Sequence, residues 1–183
     1  MLRVLIAATS LLTSNSLYAG EIVCWGQDTF GETTPPTGSD FIAISAGYKF
    51  SLALQSDGTC VGWGYDGSGQ ATPPEGESFQ AISSGYSFSL GIRTDGTLTG
   101  WGYNNAGQTT VPSGSDYVKV SAGDTHGVAI DGDGALIAWG DNGAHQTEVP
   151  TGSDYIDVIA SKYFPVAYLR GTVPGVVVLF LSF

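Results

Sequence analysis

Charge is scarce in this chain of 183 residues: Asp, Glu, Lys and Arg together make up 13%, about half the share found in ordinary soluble domains. Basic residues are rarest, six Lys and Arg against seventeen Asp and Glu, for a formal net charge of −11. Such a chain has no basic stripe with which to release counterions from nucleic acid or to dock on anionic lipid, so neither is an expected partner. Histidine and cysteine each occur twice. His126 and His145 have no partner at ligand spacing, and no metal site is expected. A phosphate-cradling Gly-rich loop with Lys is missing. Gly85-Tyr86-Ser87-Phe88-Ser89 ends in Ser where a nucleophile elbow needs Gly. Asp131-Gly132-Asp133-Gly134 lacks the Glu that closes a calcium loop. The inventory therefore predicts no enzyme, no catalytic residue and no cofactor. Apolar runs are too short to span a bilayer, so no membrane insertion is expected.

Hydrophobic residues at 42% are enough to build a core, and 27 glycines favour a turn-rich β fold over a helical bundle. The N-terminal residues read as a secretory leader. Arg3 gives a positive start, Val4 to Leu12 an apolar stretch, and Leu17-Tyr18-Ala19 a small residue before Gly20. The expected division is a signal peptide over 1–19, a repeat domain over 20–172 and a divergent apolar tail over 173–183. In that tail Val176 to Leu181 is uninterrupted apolar sequence, suited to a terminal strand buried on both faces.

Between the ends the chain repeats. Trp-Gly occurs at Trp25, Trp63, Trp101 and Trp139, each 38 residues after the last. Three residues beyond each Trp stands an Asx (Asp28, Asp66, Asn104, Asn142), and seven beyond comes Glu32, Gln70, Gln108 or Gln146. Pro36, Pro74, Pro112 and Pro150 hold the same phase, as do the aromatics Phe41, Phe79, Tyr117 and Tyr155. Strands are expected at Phe41–Ala46 and Phe50–Leu54, then running into the next Trp, with counterparts in each copy. The second strand alternates large and small residues without charge, as a strand covered on both faces does. Asp57-Gly58, Asp95-Gly96 and Asp133-Gly134 suit two-residue hairpin turns. The Pro/Gly segments are connections, with room for a short outer strand. The Asx residues are expected to bond their own turns. Units of 38 residues bury both faces only by stacking, and sheet twist turns the stack into a ring.

The pattern Trp-Gly-x-Asx-x-x-Gly-Gln, Pro-x-Gly, Ala-Gly-x-x-x-Ser-Leu-Ala-Leu-x-x-Asp-Gly-Thr resembles the RCC1-type repeat, in the compact form of secreted bacterial members. The resemblance implies an all-β propeller, typically of seven blades, that binds proteins through loops on one face. His145 departs from the pattern, the His that often follows the Ala-Gly turn is kept only as His126, with Phe50, Phe88 and Phe164 in its place in the other copies, and Val177 stands where a fifth Trp would fall. Four copies leave open an incomplete arc, a closed four-bladed ring, closure by self-association, and a shortened relative. The expectation adopted is an incomplete, open propeller. Nucleotide exchange, which the family name evokes, does not fit a leader peptide and an acidic chain.

The four Trp residues are expected to pack between blades, with sugar stacking as the sharper alternative. Cys24 and Cys60 lie on equivalent strands with a sheet between them, and no bridge is expected at a spacing of roughly 10 Å. Recognition falls to loops that vary while the scaffold does not: Tyr48, Lys49, Tyr65, Tyr86, Tyr103, Phe30 and Tyr163. The expected function is a secreted or periplasmic protein-interaction module. The alternatives are a carbohydrate-binding or cell-surface element, or a truncated propeller without function of its own. If the leader reading holds, the exported protein begins at Gly20 or within a residue or two of it. Mass spectrometry finding Met1 intact on the exported protein would overturn this.

Overall fold

The computed structural model describes residues 20–170. The expected leader and the apolar tail, including Val176 to Leu181, lie outside the described residues. Eleven strands follow in order: β1 (Phe41–Ala46), β2 (Phe50–Gln55), β3 (Cys60–Gly64), β4 (Phe79–Ser84), β5 (Phe88–Arg93), β6 (Leu98–Gly102), β7 (Tyr117–Ala122), β8 (His126–Asp131), β9 (Leu136–Gly140), β10 (Tyr155–Ala160) and β11 (Pro165–Leu169). They form three antiparallel sheets, β1-β2-β3, β4-β5-β6 and β7-β8-β9, and a two-stranded sheet β10-β11. Each sheet packs on the next through its first two strands, and no comparable packing joins the fourth sheet to the first. The architecture is an open β-propeller.

The core lies at the junctions between blades. Phe50, Leu52, Leu54, Phe79 and Trp101 fill the first, and Phe88, Leu90, Ile92, Leu98, Tyr117 and Trp139 the second. Val128, Ile130, Leu136, Tyr155 and Val158 fill the third. The middle strands β2, β5 and β8 are covered on both faces because their alternating residues are apolar or small. Register explains the exposure of Ile44 as well. Its equivalents Ile82, Val120 and Val158 pack against a preceding blade, whereas Ile44 remains 58% exposed at the head of the arc.

Two local expectations are corrected. The Asp-Gly turns are three-residue loops: Gln55 N–H bonds to Thr59 O, and Gly58 N–H bonds back to Gln55 O. Gly58 sits at φ 89, the left-handed position that closes a type I turn with a bulge. Asp57 supports it by accepting from Thr59 N–H at 2.8 Å. The second correction concerns Ile22–Trp25, which by the repeat register is the first of the strands expected to run into a Trp. These residues are irregular, and the segment touches a sheet through a single bridge from Gly20 to Phe41. A strand needs a neighbour to accept its ladder, and β1 offers only that one contact. The Pro/Gly connections contain no outer strand among the described residues.

The Asx residues at Trp plus three do bond their own turns. Asp28, Asp66, Asn104 and Asn142 each accept from the backbone N–H five residues on. His145, standing where other copies have Gly, takes φ 61 and pairs with Glu148 at 2.7 Å. Both cysteines are free thiols, and burial pushes the pKa of Cys60 up to about 12.

His126 replaces the Phe of other copies and is fully buried, with no partner on either ring nitrogen among the described residues. Burial lowers its pKa, and Asp141 and Asp124 offset this in part. The unfolded chain therefore takes up a proton at higher pH than the folded one. His126 costs nothing in charge above the free value near 6.5 and destabilises progressively as pH falls below it. Thermal melts should show the wild type losing more stability between pH 7.5 and 5 than His126→Phe. Equal losses would refute the assignment.

Candidate interaction face

Each blade joins its first two strands by a tight turn, and these turns converge on one side of the arc. Gly47, Gly85, Gly123 and Ser161 donate N–H to the carbonyls of Phe50, Phe88, His126 and Phe164 at 2.8–3.2 Å. Glycine is needed because a Cβ on Gly47 would collide with the Phe50 ring and with the carbonyl of Gly85 in the next blade. The same conflict holds at Gly85 and Gly123. This approach lets Tyr48 N–H reach Gly85 O at 3.3 Å and brings adjacent loops into contact.

On that side Tyr48 and Tyr86 stack, their ring centroids 4.3 Å apart and nearly parallel at 8°. Partial burial of the Tyr86 phenol raises its pKa, and its contact with Tyr48 adds to the shift. Lys49 adopts φ 65, unlike its equivalents Ser87, Thr125 and Tyr163, and its ammonium lies 5.2 Å from the ring centres of both Phe30 and Tyr48. Phe30 in turn meets Tyr65 at 4.8 Å. The loops after Trp-Gly share the face, because Tyr65, Tyr103 and Asp141 donate N–H to the carbonyls of Lys49, Ser87 and Thr125. Of the residues nominated from sequence, Phe30, Tyr48, Lys49, Tyr65 and Tyr86 thus form one continuous cluster.

Tyr103 and Tyr163 stand apart from it. Tyr103 accepts a hydrogen bond from Asn105 at 2.7 Å. Tyr163 lies 5.1 Å from the ammonium of Lys162 and belongs to the charged half of the face. Lys162 also faces Asp124 at 3.9 Å. Its pKa is raised, chiefly by hydrogen bonding with Tyr163 and then by the negative charge nearby. A shallow depression of about 360 Å³ lies at the centre, rimmed by Tyr48, Tyr86, Asp124 and Lys162 over a floor of Ala, Gly and Ser. Asp124 and Lys162 were not nominated, although the repeat register puts them at the position of Tyr48 and Tyr86. Among the described residues no group of three or more His, Cys, Asp or Glu converges as a metal site would require.

The Trp residues divide. Trp63, Trp101 and Trp139 donate indole N–H to the carbonyls of Glu32, Gln70 and Gln108 at 2.9–3.0 Å. Trp101 and Trp139 are 8% and 9% exposed, so neither offers a face for a sugar. Trp25 is 67% exposed. Trp139→Phe should cost about 2 kcal/mol, since it strands a buried carbonyl and leaves a void. Trp25→Phe should leave monomer stability unchanged within about 0.5 kcal/mol. Denaturant melts at low protein concentration would show it, and equal effects would refute the distinction.

The repeat family described as Regulator of chromosome condensation (RCC1) repeat matches residues 41–70, 79–108 and 117–146. No curated protein sequence matches the chain. Among solved structures, the ectodomain of the receptor kinase CR4 from Physcomitrella patens is 26% identical with a TM-score of 0.68, covering 82% of this chain and 44% of that one. The CRINKLY WD40 ectodomain of ACR4 from Arabidopsis thaliana is 27% identical with a TM-score of 0.59, covering 74% of this chain and 48% of that one. Yeast RCC1 (Prp20), solved bound to Kap60, is 14% identical with a TM-score of 0.68 over 93% of this chain and 58% of its own. That likeness is one of fold. The chain spans about half the length of the solved structures it matches. Three repeat matches, the 38-residue register and the propeller geometry agree: the chain belongs to the RCC1-type repeat propeller family.

Proposed function

We propose that this chain is an exported, non-enzymatic interaction module that holds a protein partner against its loop face. The Tyr48–Tyr86 stack carries the reading. Two large rings, each nearly half exposed, are held parallel on turns that the blades make rigid. Tyrosine presented this way gives contact area at little entropic cost and is a frequent interface anchor. Lys49 adds to the argument, because a non-glycine residue in the left-handed region is strained and persists where its surroundings demand it. Its ammonium sits against two aromatic rings on the face rather than on a carboxylate. Prp20p of yeast, whose structure was described with its binding to Gsp1p and histones, supports a protein ligand for a propeller of this kind. The acidic balance of this chain favours a protein surface over nucleic acid. Export rests on the leader pattern of residues 1–19.

The experiment compares the wild type with a variant carrying Tyr48→Ser, Tyr65→Ser, Tyr86→Ser and Tyr103→Ser. Each chain is immobilised and exposed to the exported protein fraction of its own source, and affinity for any captured protein is measured by calorimetry. Loss of about 2 kcal/mol or more per anchor with unchanged thermal stability is expected. Unchanged affinity with a large fall in melting temperature would make these tyrosines packing residues and refute the proposal.

A further inference from the structure

We propose that the two ends of the arc are complementary halves of one blade junction, and that a second copy of this chain docks head to tail by seating its Trp25 in a groove on the fourth blade. The first two junctions each contain a tryptophan, Trp101 and Trp139. The third contains none, and the residue at that register is Val177. A groove of about 270 Å³ opens there, lined by Val128, Leu136, Gln146, Val149, Val158 and Pro165. Val128 and Leu136 occupy the repeat positions of Leu90 and Leu98, which surround Trp139 one blade earlier. The carbonyl of Gln146 is the counterpart of those of Gln70 and Gln108, which accept indole N–H bonds. No donor among the described residues reaches it.

The opposite end carries the matching knob. Trp25 and Val23 are each 67% exposed, beside the bare Ile44 of β1. Trp25 holds the same register as Trp139 and has the same Gly after it. The strand edges agree too. β11 has only β10 as neighbour among the described residues. Transferring the pairing of β8 with β9 puts Phe164 opposite Gly26, Val166 opposite Cys24 and Tyr168 opposite Ile22. Pro165 has no N–H for this ladder and removes one rung, so the association rests mainly on the indole. Ser51 and Ser89 stand at the register of Pro165 beside Trp63 and Trp101, so a side chain there is compatible with the ring.

The occupant is a second copy because one chain holds its ends apart. Among the described residues no packing comparable to that between successive sheets joins the fourth sheet to the first. A reciprocal dimer satisfies both junctions at once and leaves no open end to propagate.

Sedimentation velocity of the intact exported chain over a wide concentration range should show a reversible dimer. Trp25→Ser, which removes an exposed side chain, should weaken it at least about tenfold, with an unchanged circular dichroism spectrum. Val166→Cys supplies an independent readout. Opposite residues in such a pair lie close enough for a disulfide, so mild oxidation should join Cys24 of one copy to the introduced thiol of the other and give a covalent dimer on a non-reducing gel. Adding Cys24→Ser should abolish it. A monomer at every concentration, or a bridge from Cys24 to the introduced thiol within one chain, would overturn the proposal.

Discussion

Everything in this arc hangs on one interaction, the indole N–H that each of the first three blades sends into the backbone of the segment before it. Trp63, Trp101 and Trp139 each bond a carbonyl 31 residues upstream. The acceptor is the main chain of the residue seven places after the preceding Trp, and that residue must itself be held still. Its own side chain does this: Gln70, Gln108 and Gln146 accept from the N–H two residues back, and Glu32 does the same with a carboxylate. The Asx at Trp plus three closes the turn from the other side. A buried carbonyl left without a donor costs more than a typical hydrogen bond contributes. The tether therefore specifies where each loop lies, in addition to joining blades.

A second, smaller tether runs along the axis. Ser45, Ser83 and Ser121 accept the backbone N–H of Ser84, Ala122 and Ala160 in the next blade at 2.9–3.0 Å. The fourth member of the series is Ile159, which is 66% exposed. At the position where every earlier blade reaches forward with a hydroxyl, the last presents an apolar side chain. The end of the arc thus departs from its own repeat at both tethers, with Ile159 at the axis and no tryptophan in the third junction. An apolar surface of this kind is suited to burial against another apolar surface rather than to continuing the hydrogen-bonded series.

Much of this was legible in the sequence, because period two and period 38 are both written in residue identity. The spans Phe41–Ala46 and Tyr155–Ala160 are those of β1 and β10, and the Asx turns follow from local chemistry. Three things were not legible. The Asp-Gly dipeptide does not distinguish a two-residue turn from a three-residue turn closed by a left-handed glycine, since both need φ > 0 at Gly. Ile22–Trp25 carries a strand motif, but a strand exists only where a partner edge is supplied, and that is tertiary information. The axial serines looked like ordinary small residues of a strand face. Their regular return at Ser45, Ser83 and Ser121 was the available signal. As for the face, variable loop positions could be nominated, but which of them touch depends on how closely Gly47 and Gly85 allow neighbouring turns to approach.

That close approach explains why the face can vary while the fold does not. The turns are held by main-chain bonds from Gly47, Gly85, Gly123 and Ser161 and by the residues after each Trp-Gly, none of which uses the side chain at the tip. The tips read Tyr48, Tyr86, Asp124 and Lys162 in order along the arc. One half is a stacked aromatic surface with a single cation, and the other is an acid and a lysine 3.9 Å apart. Exposed pairs of that kind add little stability, so their arrangement is not required by folding. Side chains absent from the scaffold's hydrogen bonds can change without loss of the tethers. The character of the face is therefore set separately from the stability of the blades that carry it, with aromatic contact area at one end and charge at the other.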